Sequence, residues 1–249
     1  MFRYFIELAY NGSGYNGWQR QADAPSVQAD LDGALSLLLK QEIHSTGAGR
    51  TDAGVHASFF VAHFDSAAVI PSPGALVKSL NGVLGRHVAA RAVYPVIEGA
   101  HARFSALSRT YTYHVCKEKD PFAYPFTYRV RPLPDTRLMN EACRLLPGQE
   151  DFTSFAKLHS GAKTNRCRVF HAGWEERDEQ LVFTIRADRF LRNMVRAIVG
   201  TLVAVGQGKM TVEEFRRVIE ARDRRVAGTS VPGRALFLRA IEYPDNLKL

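Results

Sequence analysis

The spacing of the apolar residues constrains the fold of this chain more than any other feature. Some segments have an apolar residue at every second position, as in a strand, and others at intervals of about 3.6, as in a helix. The two kinds of segment follow one another in a similar order in each half of the chain. Phe2 to Tyr10 alternates between apolar and polar positions, which predicts a strand with one buried face. A helix is predicted after Ser26, a suitable N-cap. In the second half, apolar and polar residues alternate from Tyr111 to Val115, which predicts a strand. A helix is predicted after Asp135, which is a suitable N-cap. Strands and helices do not alternate strictly, so the pattern favours an α+β fold with a largely antiparallel sheet.

The remaining elements complete two similar halves. Strands are predicted near residues 42–48, 55–64, 87–97, 166–176, 180–188 and 236–243. Helices are predicted at 71–84, at 190–205 and from Thr211 to about Arg222, and Gly148 is expected to close the helix that Asp135 begins. This order divides the chain into residues 1–105 and 106–249. The linker is short, so we expect the halves to share one continuous sheet.

The charge of the chain favours an anionic partner. Its 249 residues include 33 Lys and Arg against 25 Asp and Glu, a net charge of +8 that is typical of a nucleic-acid-binding protein but does not require one. The three cysteines are widely spaced and include no CxxC pair, so neither a disulfide framework nor a zinc site is expected. No apolar run approaches about 18 residues, and the N-terminus lacks a signal peptide pattern. We therefore expect a cytoplasmic protein without a membrane segment.

Two weaker motifs favour structural roles. Gly12, Gly14 and Gly17 match the GxGxxG fingerprint of dinucleotide-binding proteins and follow a predicted strand. That fingerprint requires a helix to begin at once, whereas the capping signals delay the helix to Ser26, so a glycine-rich turn is the better interpretation. His56 and His63 are seven residues apart in one predicted strand and therefore face opposite sides. No metal site is expected.

The loop from Gly47 to Gly54 is the most informative stretch. Its glycines permit close backbone approach, and between them lie a guanidinium, a hydroxyl and a carboxylate, those of Arg50, Thr51 and Asp52. A tight turn in which Arg50 and Asp52 merely pair would explain the pattern. A functional site would explain it equally well, since loops on rigid scaffolds often carry function.

A second candidate lies in the apolar helix predicted at 190–205. Arg192, Asn193 and Arg196 interrupt its apolar surface, and Arg196 is nearly surrounded by apolar neighbours. An exposed stripe is one interpretation. A partly buried arginine, however, needs a carboxylate partner, and Asp52 is a candidate for it.

The chain closely resembles the tRNA pseudouridine synthases of the TruA family over almost its whole length. The resemblance rests on ordered blocks of sequence, of which the nine residues from Gly49 to Ala57 are highly specific. The other blocks are Tyr10–Gly12, Gly17–Gln19, Ser26–Gln28, Arg103–Ala106, Arg109–Tyr113, Asp151–Phe155 and Phe190–Arg196. The segment Val231–Leu238 departs from the family pattern of Ala-Pro followed by Gly-Leu-Tyr-Leu, which weakens inference about that wall of the site.

The resemblance implies a reaction, a fold and a set of residues. Uridines at positions 38, 39 and 40 of the tRNA anticodon stem-loop would be isomerised to pseudouridine, without a cofactor. The family fold consists of two ferredoxin-like halves that share a central sheet around a basic cleft, usually in a homodimer. The family's catalytic aspartate matches Asp52, its active-site tyrosine Tyr111 and its basic partner Arg196. Arg50 matches an arginine associated with flipping the target nucleotide.

Further contacts with RNA are expected from basic residues in or near these blocks. Besides Arg50 and Tyr111, the candidates are Arg109, Lys157, Lys163, Arg166 and Arg192. Two other classes of protein remain possible. A catalytically silent RNA-binding protein of the same fold would not need Asp52 and Arg196 together, and a dinucleotide-dependent oxidoreductase would need the helix that is missing after Gly17.

Overall fold

A computed structural model of the chain describes residues 1–157, 164–178 and 180–249. Its strands are β1 (Phe2–Tyr10), β2 (Thr46–Gly47), β3 (His56–Ser66), β4 (Val88–Pro95), β5 (Ser108–Cys116), β6 (Tyr128–Arg129), β7 (Val169–Arg177), β8 (Gln180–Ala187) and β9 (Leu236–Glu242). Its α-helices are α1 (Val27–Leu39), α2 (Pro73–Val83), α3 (Thr136–Cys143), α4 (Met194–Gly206) and α5 (Val212–Ala221).

The chain forms two compact units. The first unit comprises Met1–Ser108 and Leu238–Leu249, and the second comprises Arg109–Phe237. The sequence predicts a division between residues 105 and 106 and assigns the C-terminal strand to the second half. In the structure the chain returns to the first unit at Leu238, where β9 lies beside β3 in the sheet. The main-chain oxygen of Leu238 accepts a hydrogen bond from Ser58 of β3.

Most strand pairs are antiparallel. In the first unit the strand order is β4-β1-β3-β9, with β2 paired to β3. In the second unit the order is β5-β8-β7, and β6 adds a short parallel pair to β5. Helix α2 packs on β4 and α1 in the first unit, while α3 packs on α4 and β7 in the second. The predicted α+β class with a largely antiparallel sheet is confirmed.

The capping signals locate the helix starts correctly. Ser26 accepts a hydrogen bond from the main chain of Ala29, Asp135 caps α3, and Thr211 forms a capping box with Glu214 at the start of α5. Each of these side chains provides an acceptor for a main-chain N–H that the first turn of a helix leaves without a partner. Local chemistry therefore fixes these three starts, independently of the rest of the fold.

Three expected boundaries are wrong. The strand predicted at 42–48 is only Thr46–Gly47. Helix α3 ends at Cys143 rather than near Gly148, because the next main-chain bonds tighten into three-residue turns and Pro147 lacks an N–H to continue. The helix predicted from residue 190 begins at Met194, since the preceding Asn193 has a left-handed backbone conformation with φ of 68°.

Helix α4 is buried on nearly every side. Ten of its 13 residues are buried, including Ile198, Val199 and Leu202. A helix that is apolar all round belongs in the interior of a domain, so α4 is the central element of the second unit. Across the described residues, no helix combines the length and apolar character needed to cross a bilayer.

A buried histidine links the sheet of the first unit to the segment that follows β4. His63 lies on β3 beside Phe5, and its Nδ1 accepts a hydrogen bond from the main-chain N–H of Ala102. Burial, together with the neighbouring His101 and Arg3, lowers the pKa of His63 to about 4. Asp65 forms an ion pair with Arg3, which lowers the pKa of that carboxyl.

These pKa shifts predict that the first unit loses stability in acid. The unfolded chain protonates His63 near pH 6.5, whereas the folded chain resists protonation down to about pH 4. The contribution of neutral His63 to the free energy of unfolding is therefore complete above pH 6.5. It decreases by up to about 3 kcal/mol as the pH falls from 6.5 to 4. Asp65 contributes in the same direction at lower pH.

A substitution at His63 tests this. His63→Asn keeps an acceptor for Ala102 but cannot titrate, so urea unfolding should depend less on pH between 6.5 and 4 than in the wild type. His44→Asn serves as the control, because His44 is an exposed histidine. Equal pH dependence of the His63 variant and the wild type would contradict the assignment.

Candidate active site

The loop that connects β2 to β3 carries Asp52. The loop leaves the sheet after Ala48, whose N–H donates to the main-chain oxygen of Val61. It then turns tightly, with the N–H of Val55 donating to the oxygen of Asp52, and Gly54 adopts a positive φ of 73°. Asp52 is half-buried in this turn, while the side chain of Arg50 is exposed. The turn thus presents a carboxylate at a fixed position on the rim of a sheet.

The glycine-rich segment 11–18 holds this loop. The main-chain N–H of Trp18 donates to the oxygen of Thr51 at 3.3 Å, and the N–H of Gly54 donates to the oxygen of Tyr15 at 3.2 Å. A third bond, from the N–H of Gly12 to His56 Nδ1, measures 3.0 Å. Together these bonds bracket Asp52 on both sides. The residues of the GxGxxG pattern therefore hold the Asp52 loop in place. They do not form a dinucleotide-binding turn, because α1 begins only at Val27 rather than directly after the glycines.

Two of these glycines are required by the close approach of the two loops. A Cβ at Gly17 would lie 2.2 Å from the oxygen of Thr51, and the φ of Gly17 is +94°. A Cβ at Gly12 would lie 2.1 Å from the oxygen of Val55. Any larger residue at either position would push the Asp52 loop away.

The residue before Asp52 is also fixed through its side chain. The hydroxyl of Thr51 lies 3.0 Å from the hydroxyl of Tyr10, in a buried hydrogen bond. The Tyr10 ring packs against Trp18 and Phe60, whose rings are in turn 4.2 Å apart. Thr51, the neighbour of Asp52 in the chain, is thus hydrogen-bonded to the hydrophobic core of the first unit.

In the second unit, Arg196 lies in the first turn of α4 and contacts residues 227–232, here called the strap. Arg196 Nε donates to the main-chain oxygen of Val231 at 2.7 Å, and the N–H of Val231 donates to the oxygen of Arg196 at 3.2 Å. Asn193 donates to Ser230 Oγ at 2.6 Å, and Arg224 donates to the same hydroxyl. The strap therefore fixes the guanidinium of Arg196 through its Nε.

The segment that departs from the family pattern makes these contacts with its main chain. Val231 binds Arg196 through a carbonyl oxygen, and the oxygen of Pro232 accepts a hydrogen bond from the Tyr113 hydroxyl at 3.0 Å. Side-chain changes in the segment leave such bonds available. The departure at Val231–Leu238 therefore does not remove the support of Arg196.

Tyr111 lies on β5, opposite Ile185 of β8. The Tyr111 ring is half-buried and meets the edge of Phe190, with 5.1 Å between ring centroids and an interplanar angle of 87°. Arg109, two residues earlier on the same face, donates from Nη1 to the main-chain oxygen of Asp188 at 2.8 Å. The ring orientation of Tyr111 is thus set by the sheet and by Phe190.

The other basic candidates are distributed over the second unit. The main-chain N–H of Lys157 donates to the oxygen of Arg192 at 3.0 Å, so these two residues lie together just before α4. Arg166 is exposed and reaches Glu150 at 3.7 Å. Lys163 lies outside the described residues.

The structure brings the predicted residues together in two groups. Arg50 and Asp52 share the loop of the first unit, whereas Lys157, Arg192 and Arg196 surround the start of α4 in the second. Among the described residues Arg50 forms no ion pair, so the interpretation of the loop as a mere Arg50–Asp52 pair is wrong. Two features were not predicted from the sequence, the hydrogen bond of Tyr10 to Thr51 beside Asp52 and the strap around Arg196. The signal for the first was the glycine-rich segment itself.

Two of the three cysteines, Cys143 and Cys167, are buried. Burial raises the pKa of Cys167 to about 12 and raises that of Cys143 further, so neither thiol ionises at neutral pH. No group of three or more His, Cys, Asp or Glu residues able to hold a metal ion occurs among the residues described. His56 and His63 each accept a hydrogen bond from a main-chain N–H, that of Gly12 and that of Ala102. The expectation that they face opposite sides of β3 is wrong, because β3 carries one extra residue between Ala57 and Phe60 where it pairs with β1.

The contact between α4 and the strap depends on a glycine. A Cβ at Gly200 would lie 1.9 Å from the oxygen of Thr229, so Gly200→Ala should displace the strap and cost about 1–3 kcal/mol of unfolding free energy. The amide of Val231, which donates to Arg196, should also exchange faster with deuterium. Gly33→Ala in α1 is the matched control, because its Cβ meets nothing within 4 Å and should stabilise by up to about 1 kcal/mol. Wild-type stability and exchange in Gly200→Ala would contradict this account of the strap.

Comparison with known proteins places these features in a family. Residues 142–244 match the protein family described as tRNA pseudouridine synthase. Over the whole chain, the sequence is 52% identical to tRNA pseudouridine synthase A of Parabacteroides distasonis, with 99% of this chain and 98% of the relative covered. It is 54% identical to the protein of that name from Bacteroides thetaiotaomicron (99% and 93% covered) and 50% identical to that from Porphyromonas gingivalis (100% of both). With this identity over the full length of its relatives, the chain belongs to the tRNA pseudouridine synthase A family.

Proposed function

We propose that this protein isomerises uridine to pseudouridine at positions 38, 39 and 40 of the tRNA anticodon stem-loop, with Asp52 as the catalytic carboxylate. The observation that carries the proposal is the support of the Asp52 loop. Three hydrogen bonds with segment 11–18 and one between Tyr10 and Thr51 hold a half-buried carboxylate in a tight turn. Such preorganisation is what a group that must meet one atom of a bound nucleotide requires.

The reaction can be balanced without an external reagent. The bond between N1 and C1′ breaks, the uracil rotates, and C5 becomes joined to C1′. C5 then loses a proton, N1 gains one, and no electrons enter or leave, so no redox cofactor is required. Asp52 can attack C1′, attack C6 of the uracil, or assist elimination at the sugar, and each of these routes needs its ionised form.

Arg196, Tyr111 and Arg50 have distinct proposed roles on the same uridine. Arg196 is the basic partner of Asp52 in the reaction. Tyr111 stacks on the uracil and helps to remove the proton from C5. A base within a stem must leave the helix before it can react, and Arg50 fills the space that the flipped nucleotide vacates. The exposure of Arg50 and the fixed Nε of Arg196 support these assignments.

The tRNA backbone is proposed to contact Arg109, Lys157, Lys163, Arg166 and Arg192, as the net charge of +8 favours. We also propose a cytoplasmic homodimer, in which one subunit holds the body of the tRNA while the other acts on the anticodon arm. The solution mass, measured with and without tRNA, tests the dimer.

Asp52→Asn tests the catalytic assignment. The substitution preserves size and removes the charge, so the variant should fold and bind tRNA as the wild type does while forming at least a thousandfold less pseudouridine. The measurement is incubation with an unmodified tRNA transcript, followed by digestion and analysis of the nucleosides. Asp23→Asn, at an exposed position, controls for the loss of one negative charge.

The outcomes separate the two functions. If the wild type binds the transcript but forms no pseudouridine, the chain is a non-catalytic RNA-binding protein. If Asp52→Asn retains activity within tenfold of the wild type, Asp52 is not the catalytic carboxylate.

Tyr10→Phe tests the support of the loop. The variant loses the hydroxyl that binds Thr51, so both stability, by about 1–3 kcal/mol, and turnover should fall. Tyr4→Phe is the matched control, because it removes a buried hydroxyl that accepts from Ile70, away from the Asp52 loop. Turnover per folded molecule should fall only in Tyr10→Phe. An equal effect of both substitutions on turnover would leave Tyr10 with a structural role alone.

A further inference from the structure

An open groove lies on the sheet of the first unit, outside the residues assigned above. Its volume is about 390 Å³. The groove is lined by Ser58 and Phe59 of β3, Arg91 of β4, and Arg239, Ala240 and Ile241 of β9. None of these residues belongs to the sequence blocks that carry the family resemblance.

The groove occupies the uncovered part of one sheet face. Phe59 lies on the side opposite its buried neighbour Phe60. Ser58 lines the groove together with Phe59 because β3 carries one extra residue between Ala57 and Phe60 where it pairs with β1. Further along this face, Tyr243 packs on Phe5 with 5.3 Å between ring centroids, and Ala102 binds His63. These contacts close the far end of the face and leave the end near Phe59 open.

A strand irregularity directs Arg91 into the groove. In the pairing of β1 with β4, Glu7 lies opposite Ala92 and Leu8 lies opposite Ala90, so Arg91 is the extra residue of a β-bulge. A bulge changes the direction in which a side chain points, and bulges often occur beside functional sites. Arg91 accordingly lines the groove together with Phe59.

Both arginines carry charge that no nearby carboxylate neutralises. Arg239 Nη1 donates to Ser58 Oγ at 3.3 Å, which holds this guanidinium over β3. Neither Arg91 nor Arg239 forms an ion pair among the described residues, and both are exposed. The carboxylate on the intervening strand, Glu7, faces Tyr94, whose pKa is raised by burial and by this neighbouring charge.

This combination of groups fits a ribose-phosphate backbone. Two guanidinium groups without a carboxylate partner can bind phosphate oxygens, and an aromatic ring beside them can pack against a sugar or a base. The groove is also close to Asp52 in the chain. β3 begins at His56, four residues after Asp52, and Phe59 follows three residues later, roughly 10 Å along the strand.

We propose that this groove binds the backbone phosphates of the tRNA strand that flanks the target uridine, with Arg91 and Arg239 as the phosphate contacts. The inference rests on the proposed function in taking tRNA as the ligand. It adds a binding site on the sheet to the contacts proposed for the second unit.

The test is binding of an unmodified tRNA transcript by the full chain across a salt series. The pair Arg91→Gln and Arg239→Gln removes two phosphate contacts, so the slope of log affinity against log salt should become shallower by about 1.4–1.8. The pair Arg86→Gln and Arg144→Gln removes the same charge from exposed positions and should leave the slope near that of the wild type. The pair Arg91→Lys and Arg239→Lys keeps the charges and should retain most of the slope.

Failure of this inference is distinguishable from failure of the proposed function. If the wild type forms pseudouridine and the groove pair has the same salt slope as the control pair, the groove is not an RNA site. If the wild type forms no pseudouridine while the groove pair alone loses salt dependence, the groove stands and the catalytic function fails. Urea unfolding of each pair shows that any change in slope belongs to folded protein.

Discussion

The close approach of two loops in the first unit is the contact on which the candidate site depends. At Gly12 and Gly17 the backbone of one loop comes so near the backbone of the other that a single added carbon would not fit. The hydrogen bonds made across this contact hold the turn that contains Asp52. A carboxylate on a surface loop would ordinarily move with that loop. Here its position is determined by main-chain geometry and by the aromatic core beneath it.

In the second unit, main-chain atoms likewise hold a charged side chain, that of Arg196. The strap follows α4 at a distance set by Gly200, and a carbonyl oxygen of the strap holds Arg196 by its Nε. In both units the supporting atoms are mostly main-chain atoms. The identity of the supporting side chains is therefore less constrained than their backbone path, which explains how Val231–Leu238 can depart from the family pattern while the contacts persist.

The sequence predicts those features that depend on local chemistry. The caps at Ser26, Asp135 and Thr211 locate three helix starts, since each cap satisfies its own first turn. Asp52 stands out because an arginine and a carboxylate among glycines are unusual in a simple turn. Features that depend on residues far apart in the chain are not predicted. The left-handed Asn193 that delays α4 is fixed by Ser230, and the bulge at Arg91 is visible only once β4 pairs with β1.

Helix α4 has a consequence for how the second unit acquires its structure. Helix α4 has almost no polar face that could remain in water while another face is buried. Until the neighbouring elements are in place, its apolar side chains are exposed to water or make non-native contacts. Its burial needs α3 from the sequence before it and α5 from the sequence after it. We therefore expect the second unit to fold as one cooperative body rather than in order from its N-terminus. During synthesis, we expect the helix that carries Arg196 to become stable only after α5 has left the ribosome.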